Sequence, residues 1–519
     1  MILTIAQDAL VCALLYFLYQ RLKRTASKFP LPPGPPADPI IGHIRIAPQQ
    51  AAERTYFRWS KEYHSDLIHL NVLGQPIIVI HSVSAAIELL EKRGAINSDR
   101  PSFAFFDMLG WYECLLLLRY NHPSFPILRR EYAKHFAKGA ERRIYGLQVN
   151  EAHKLVKRII VERPERWRDY LKLFSTAVIM QINTGHEIKD LDDVYVSIAD
   201  DVCTTMTGGG PPGATGVDLC PMLRYLPSWC DPTGSAAFAR KMRYAVKNMH
   251  LVPYQRVKEE IEAGTAQPSF MLSLLEAMEA QETGGADLGL TKERIQGLCA
   301  TGFAAGVDTT LDTLTTFVFA IVNHPEVQER ARAELHAVVG ADRLPEMEDR
   351  QNLPYIERVV QETFRFWPSA PLGAPHQSME DDVYEGMSIP KGSVLVANVF
   401  AMGHDENVYA DPWKFNPDRY LPAEEGGRGE PLPVGQFGFG RRACPGRLVG
   451  EASVFIVIAT MLHVLAFNKT RNEKGEEITV DPRTAKYTTG LTSHPEIVLC
   501  DIEPASERAR QLALEAYAD

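Results

Sequence analysis

The run Gln436-Phe437-Gly438-Phe439-Gly440-Arg441-Arg442-Ala443-Cys444-Pro445-Gly446 decides how this chain is read. It sets one cysteine in a glycine-rich turn, with two arginines just before it and a long apolar helical stretch, 448–465, just after. Cationic neighbours and a helix N-terminus both lower a thiol pKa and favour thiolate. Gly440 and Gly446 allow close backbone approach and turns that aim N–H groups at the sulfur. The other cysteines, Cys12, Cys114, Cys203, Cys220, Cys230, Cys299 and Cys500, lie far apart and form no CxxC. They read as small buried hydrophobes or inert thiols, and the chain is too long for a disulfide-stapled scaffold.

The pattern Phe437-x-x-Gly440-x-Arg442-x-Cys444-x-Gly446 matches the haem-binding signature of the cytochrome P450 superfamily, which the chain resembles closely. A chance glycine-rich loop is the alternative, and several residues in fixed register argue against it. The resemblance implies haem b with Cys444 as the axial metal ligand, Arg442 paired with a haem propionate, Phe437 packed near the sulfur and Gly440 shaping the loop. A thiolate on haem iron pushes electron density toward the metal and favours O–O cleavage. The implied fold is mainly α with a small β-rich lobe.

Working outward, three further stretches fall in the family's order. Glu362 and Arg365 sit three apart on a helix read from Pro354, so they share a face. An isolated ExxR carries no weight, since any exposed helix has one. It gains weight from Phe415-Asn416-Pro417-Asp418-Arg419-Tyr420, where the resemblance implies that Arg419 completes a buried structural network with Glu362 and Arg365. Ala305-Gly306-Val307-Asp308-Thr309-Thr310 lies midway along the clearest helix, read from Thr291 to Asn323. By resemblance this is the oxygen-activation segment: Gly306 leaves room for dioxygen, and Asp308 and Thr309 are the catalytic acid and alcohol that relay protons. Its bland reading is a core helix with two satisfied polar side chains. The segment ending in His376 skirts the substrate pocket in the family, with His376 near a propionate. In the least secure register, Phe125 stands where the family has tryptophan and Arg129 where it has a propionate-binding arginine. Phe125 lacks the indole N–H donor, and Pro123 and Pro126 are expected to delay that helix.

Upstream, Ala9–Tyr19 is unbroken apolar sequence followed by Arg21, Lys23, Arg24 and Lys28. A span needs ~20 apolar residues, so this one is marginal but adequate. The charge order is the reverse of a cleaved signal peptide and keeps the body cytosolic. Residues 1–20 are read as a transmembrane signal anchor and 21–36 as a basic, proline-rich hinge. The resemblance implies that residues 37–519 form a single haem-thiolate catalytic domain on the cytosolic face of the endoplasmic reticulum. The 519 residues are 45% hydrophobic and 23% charged, enough for a large core. A net charge of −10 speaks against a nucleic-acid partner.

The expected activity is insertion of one oxygen atom from O2 into a small apolar organic substrate. The nearest resemblance is to fungal microsomal monooxygenases of secondary metabolism. No GxGxxG follows a strand, so electrons must come from a partner; the resemblance implies a membrane-bound, NADPH-dependent flavoprotein reductase. Arg130, Lys134, Arg441 and Arg447 are candidates for its docking patch. Phe103, Phe105, Phe106, Met108, Leu109, Trp111 and Tyr112 fall where the family places a pocket-lining loop, although core packing would use the same residue types. Two rivals are a peroxide-using or isomerising haem-thiolate enzyme and a non-enzymatic haem sensor or carrier. The Asp308–Thr309 pair argues against both.

Overall fold

A computed structural model describes residues 28–136, 138–208 and 215–515. The expected anchor, 1–20, and the basic residues Arg21, Lys23 and Arg24 lie outside them. Helices of more than ten residues are α1 (Ala52–Glu62), α2 (Ser124–His135), α3 (Tyr145–Val161), α4 (Trp167–Thr184), α5 (Val194–Thr207), α6 (Ser235–Glu262), α7 (Phe270–Glu282), α8 (Lys292–Ile321), α9 (Pro325–Val338), α10 (Pro354–Phe366) and α11 (Arg447–Val464). The chain is mainly helical with small sheets.

Local chemistry sets the ends of the functional helices. Thr291 caps α8, its side chain accepting from the Arg294 N–H, and Glu293 complements the dipole in the first turn. Proline opens α9 and α10 in the first turn, where the missing N–H has no intrahelical role. The same rule corrects the expectation for α2. Rather than delaying the helix, Pro123 stands at its N-cap and Pro126 in its first turn, so α2 begins at Ser124.

Apolar on all sides, α11 forms the centre of the core, packed by α3, α9 and α10. Among the described residues it is the one single helix long and apolar enough to cross a membrane, yet 78% of it is buried inside the protein. Its hydropathy reflects core position. On another side, α8 packs along α4.

Residues Leu67–Val72 and Gln75–Ile80 form an antiparallel hairpin. Its turn is Leu73-Gly74, both at positive φ (49° and 93°), one residue earlier than the expected Gly74-Gln75. Two left-handed residues suit the right-handed twist of the strands they join. Val394–Ala397 pairs in parallel with the second strand, and His376–Gln377 adds antiparallel to it. The proline-rich segment docks on this lobe instead of hanging free: the carbonyls of Pro33 and Pro30 accept from the N–H groups of His69 (2.9 Å) and Ser388 (2.7 Å). Contacts therefore begin before residue 37.

Candidate active site

The cysteine loop is closed by the Cys444 N–H donating to the Phe437 carbonyl at 2.8 Å. Gly440 has φ 52°, and a Cβ there would fall 2.4 Å from the Leu90 carbonyl oxygen, so glycine is what seats the loop against the helical turn Ile87–Lys92. Phe437 packs edge-on against Phe364 of α10, ring centres 5.3 Å apart. The loop is thereby tied to the helix that carries Glu362 and Arg365.

The sulfur of Cys444 opens onto free space, although the residue lies deep among protein atoms. Burial pushes its thiol pKa up, against the Gly446 N–H and the positive charges of Arg129 and Arg447. This corrects the expectation that the two preceding arginines lower it. Arg441 donates to the Tyr120 hydroxyl, and Arg442 donates to the carbonyls of Ser98 (2.8 Å), Leu118 (2.8 Å) and Leu115 (3.3 Å). The desolvation cost of a thiolate outweighs the remaining cations. A cation bonded to the sulfur would reverse that balance.

Beside the loop is a cluster of cations. Arg442 lies over the Phe125 ring, 4.0 Å from its centroid. Arg129 is half-buried and near enough to lower the Arg442 pKa, which burial and that charge bring to about 10, against the pull of Asp99. Arg100, 3% exposed, donates only to backbone carbonyls: Leu116 at 2.9 Å and Ala374 and Pro375 at 2.6 Å. Burial first, then Arg442, pull its pKa down to about 9. Among the described residues no carboxylate forms an ion pair with Arg100, Arg129 or Arg442. Buried cations without counter-charge are costly unless something else supplies it.

His376 is buried, with Nδ1 2.8 Å from the Asn97 carbonyl. Burial, then Arg100 and Arg442, press its pKa down to about 3, so the ring is neutral. Its one N–H goes to Asn97, which leaves Nε2 as an acceptor. As placed, His376 is committed to the Asn97 carbonyl through Nδ1. Arg100, which sequence reasoning missed, offers the donors.

Behind the loop, five donors converge on Glu362. They are Arg365 Nε and Nη2 (both 2.8 Å), Arg419 Nε (3.0 Å), the Asn416 N–H (2.9 Å) and the Tyr420 hydroxyl (2.8 Å). Glu362 and Arg365 are 0% exposed and Arg419 is 1%. Burial works against the charge, yet Arg365 and Arg419 hold the Glu362 carboxyl below its ordinary range. A second carboxylate, Glu430, pairs with Arg419; sequence reading did not find it.

On α8, Ala305 is exposed and Thr309 half-exposed in the middle of an otherwise buried helix, and the Thr309 hydroxyl donates to the Ala305 carbonyl at 2.7 Å. Gly306 does not leave an open space: a Cβ there would meet Ile179 of α4 at 2.8 Å, so the glycine serves helix packing. Asp308 is 2% exposed and accepts from the Thr492 hydroxyl. The acid and the alcohol thus have different surroundings, one buried and one open.

The family model described as "Cytochrome P450" matches residues 32–490 of this chain. The chain belongs to the cytochrome P450 family. It is similar to cytochrome P450 monooxygenase 105 of Postia placenta, 36% identical over 98% of this chain and 94% of that protein. It is also similar to monooxygenase 176 of the same fungus, at 33% over 98% and 97%, and to a cytochrome P450 monooxygenase of Armillaria gallica, at 33% over 97% of each chain. It is a P450 monooxygenase enzyme, and haem with a cysteine thiolate is the cofactor the family implies.

The site fits that group. An anionic haem edge suits Arg100, Arg129 and Arg442, which among the described residues pair with no carboxylate, and the iron suits the exposed Cys444. When bound, the haem supplies dioxygen reduction and oxygen insertion. Phe105, Phe106 and Leu109 pack in one apolar cluster with α4–α6 and with Phe303, Ala304 and Val307 of α8, the Phe105 ring stacking on Phe238. In the candidate docking patch, Arg130 and Lys134 are paired with Glu131 and Arg447 with Glu451, so only Arg441 stays free of a carboxylate among the described residues.

Proposed function

We propose that this enzyme inserts one oxygen atom from O2 into a small apolar organic substrate, in a fungal secondary-metabolite pathway, with electrons passed from NADPH by a membrane-bound flavoprotein reductase. The observation that carries this reading is the pairing of an exposed Cys444 with buried Arg100 and half-buried Arg129 and Arg442, which among the described residues form no ion pair with a carboxylate. In this reading Cys444 holds the iron, Arg442, Arg129 and Arg100 hold the propionates, and Phe437 shields the sulfur. The open face of α8 at Ala305 and Thr309 lies across the haem, and Thr309 passes protons received from Asp308. Glu362, Arg365 and Arg419 keep the cysteine loop in place.

Association with the endoplasmic reticulum membrane, through residues 1–20 and with the catalytic body in the cytosol, belongs to the same proposal. It is supported by exposed apolar side chains between α5 and α6: Met222 (67%), Tyr225 (77%), Leu226 (43%) and Trp229 (84%). A cluster of this kind within a few residues of chain suits a lipid interface.

The test compares the reductase-reconstituted enzyme under NADPH with the same enzyme given peroxide alone. NADPH-driven turnover is expected, and Thr309→Ala should divert most of the NADPH consumed into peroxide release while Thr309→Ser stays coupled. Turnover with peroxide alone, indifferent to Thr309→Ala, would favour the peroxide-using alternative. Comparison of metabolites with and without the enzyme identifies the substrate.

A further inference from the structure

A groove of about 520 Å³ opens on the surface over α1, and it shares no residue with the cysteine loop or its arginine cluster. That volume lies in the range of small-molecule sites, ~300–1,000 Å³. Its floor is made of rings. Phe57 of α1 and Phe400 of the short helix Val399–Gly403 meet edge to face at 6.1 Å, and Phe400 and Trp413 at 5.8 Å. Its rim is cationic: Arg54, Arg58, Lys61 and Arg483 line it against a single carboxylate, Glu62. On a chain of net charge −10 this is a local reversal of sign.

The cations differ in how far they are already engaged. Arg58 is paired with Glu62 at 3.5 Å and Lys61 with Glu406 at 2.8 Å, all four side chains being exposed. Exposed pairs of this kind are weak, ~0–1 kcal/mol, and yield to a better-placed anion. Arg54 and Arg483 form no ion pair with a carboxylate among the described residues. The Asp481 carboxylate, next to the groove in sequence, accepts from the Arg483 backbone N–H at 2.8 Å. Arg54 donates through Nη1 and Nη2 to the carbonyls of Arg483 and Pro482, which uses two of its five hydrogens. Its guanidinium stacks among aromatic rings, 5.0 Å from the centre of Trp367, 5.1 Å from Tyr487 and 5.6 Å from Trp413. A cation held by neutral carbonyls and ring faces keeps its full charge for an incoming anion.

The two carbonyls that hold Arg54 open a segment that reaches the interior. Further along it, Tyr487 stacks on Trp367 with ring centres 3.4 Å apart, and the Trp367 indole N–H donates to the Ser493 hydroxyl at 3.2 Å. Between them the Thr492 hydroxyl donates to Asp308 of α8. The back wall of the groove is thus continuous with the chain that covers the middle of α8.

We propose that the groove is a second ligand site, for a planar aromatic carboxylate whose ring lies on Phe57 and Trp413 and whose carboxylate sits between Arg54 and Arg483, and that occupancy holds segment 482–493 in place. The ligand class follows from the lining. A small inorganic anion makes no use of the rings, and a neutral aromatic leaves both guanidiniums without a partner. A carboxylate draws charge-assisted bonds from the free hydrogens of Arg54, which the carbonyls of 482 and 483 already orient.

The test uses the full-length, haem-loaded enzyme with a bulky azole saturating the haem cavity, so that the probe has no access there. Calorimetric titration with naphthalene-2-carboxylate should show a single equivalent bound, roughly tenfold or more tighter than naphthalene-2-methanol and weakening as salt rises. Arg483→Glu and Trp413→Ala should each weaken it about tenfold or more. Arg471→Glu, an exposed charge reversal outside the groove, should leave it level. In amide hydrogen exchange the bound carboxylate should slow residues 483–493 about threefold or more, and not in Arg483→Glu. No binding to the azole-blocked enzyme, equal binding of the neutral alcohol, or wild-type affinity in Arg483→Glu or Trp413→Ala overturns the proposal. So does Arg483-dependent binding of phosphatidylserine vesicles by an enzyme that leaves the naphthalene carboxylate unbound, which assigns the groove to a lipid surface. Binding with unchanged exchange overturns the hold on the segment. Should Trp413→Ala fail to fold, Arg483→Glu, an exposed side chain, still decides.

Discussion

Replacing Glu362 by glutamine removes one negative charge at constant shape from a site where five donors converge within 2.8–3.0 Å. Arg365 suffers most. It keeps only the Gly403 carbonyl at 2.7 Å and a long contact to Lys414, and no carboxylate. Arg419 keeps Glu430 and the carbonyls of Ala410 and Lys414. Stranding one charge of a buried pair costs ~3–5 kcal/mol. Because Glu430 still compensates Arg419, the lower end of that range is expected. Against a net stability of ~5–15 kcal/mol, this is enough to lower haem retention as well as the unfolding midpoint. Glu430→Gln, which leaves Arg419 with Glu362, should cost less, and the double variant should cost more than the sum, since the two carboxylates share Arg419. Urea unfolding followed by both tryptophan fluorescence and haem absorbance measures the three. A Glu362→Gln enzyme with wild-type midpoint and full haem content would refute the reasoning. The pH dependence has a definite sign. The folded Glu362 carboxyl lies below the ordinary value. Its contribution is therefore complete at neutral pH, begins to fade near ~4.3 where the unfolded carboxyl protonates, and is gone only below the folded value. Glu362→Gln should lose that segment of acid sensitivity.

Two further outcomes are open to simple assays. Arg100→Gln removes a buried cation held only by carbonyls; it should weaken haem binding by ~1.5–3 kcal/mol, the value of a charged hydrogen bond, and leave the stability of the haem-free protein level or raised. A loss of apoprotein stability with unchanged haem affinity would contradict this. Gly440→Ala adds a Cβ 2.4 Å from the Leu90 oxygen at φ 52° and should cost ~1–3 kcal/mol of backbone strain and displacement, read as a lower thermal midpoint and a disturbed thiolate absorption band.

The helices that carry the site were legible because each has a local start and stop. Thr291 with Glu293 opens α8, Asn323-His324-Pro325 ends it, and Pro354 and Pro368 frame α10. Others gave less away: α4 and α5 are buried on several faces, so no 3.6-residue polar stripe marks them out. The cysteine loop was legible through its resemblance to the family's signature, since Gly440 and Phe437 are set by contacts within a few residues and with one neighbouring element. Arg100 and Glu430 could not. Asp99-Arg100-Pro101 is an ordinary turn sequence, and only the antiparallel bridge between Asp99 and Gln377 brings it beside Ala374 and Pro375. His376 shows the opposite case: sequence placed it near the site, but its tautomer depends on the Asn97 carbonyl, which no spacing rule reveals.

The same limit explains why charge reads differently at the two ends of the site. In sequence, Arg441 and Arg442 adjoin Cys444 and suggest a stabilised thiolate. In space, both are committed elsewhere, and burial prevails over Arg129 and Arg447, the cations that act on the sulfur. The protein thus leaves a thiol whose pKa burial raises beside three arginines that, among the described residues, pair with no carboxylate. Either imbalance alone could be relieved by water at the surface; together and inside the fold they need one group that is positive where it meets sulfur and negative at its rim. An iron porphyrin with carboxylate side arms meets both conditions at once, whereas a bare metal ion meets the first and worsens the second. On this argument the arginines and the cysteine are one electrostatic unit. The cluster should then tolerate Cys444→Ser far better in the haem-free protein than in the loaded one, a difference that calorimetric unfolding of both forms would measure directly.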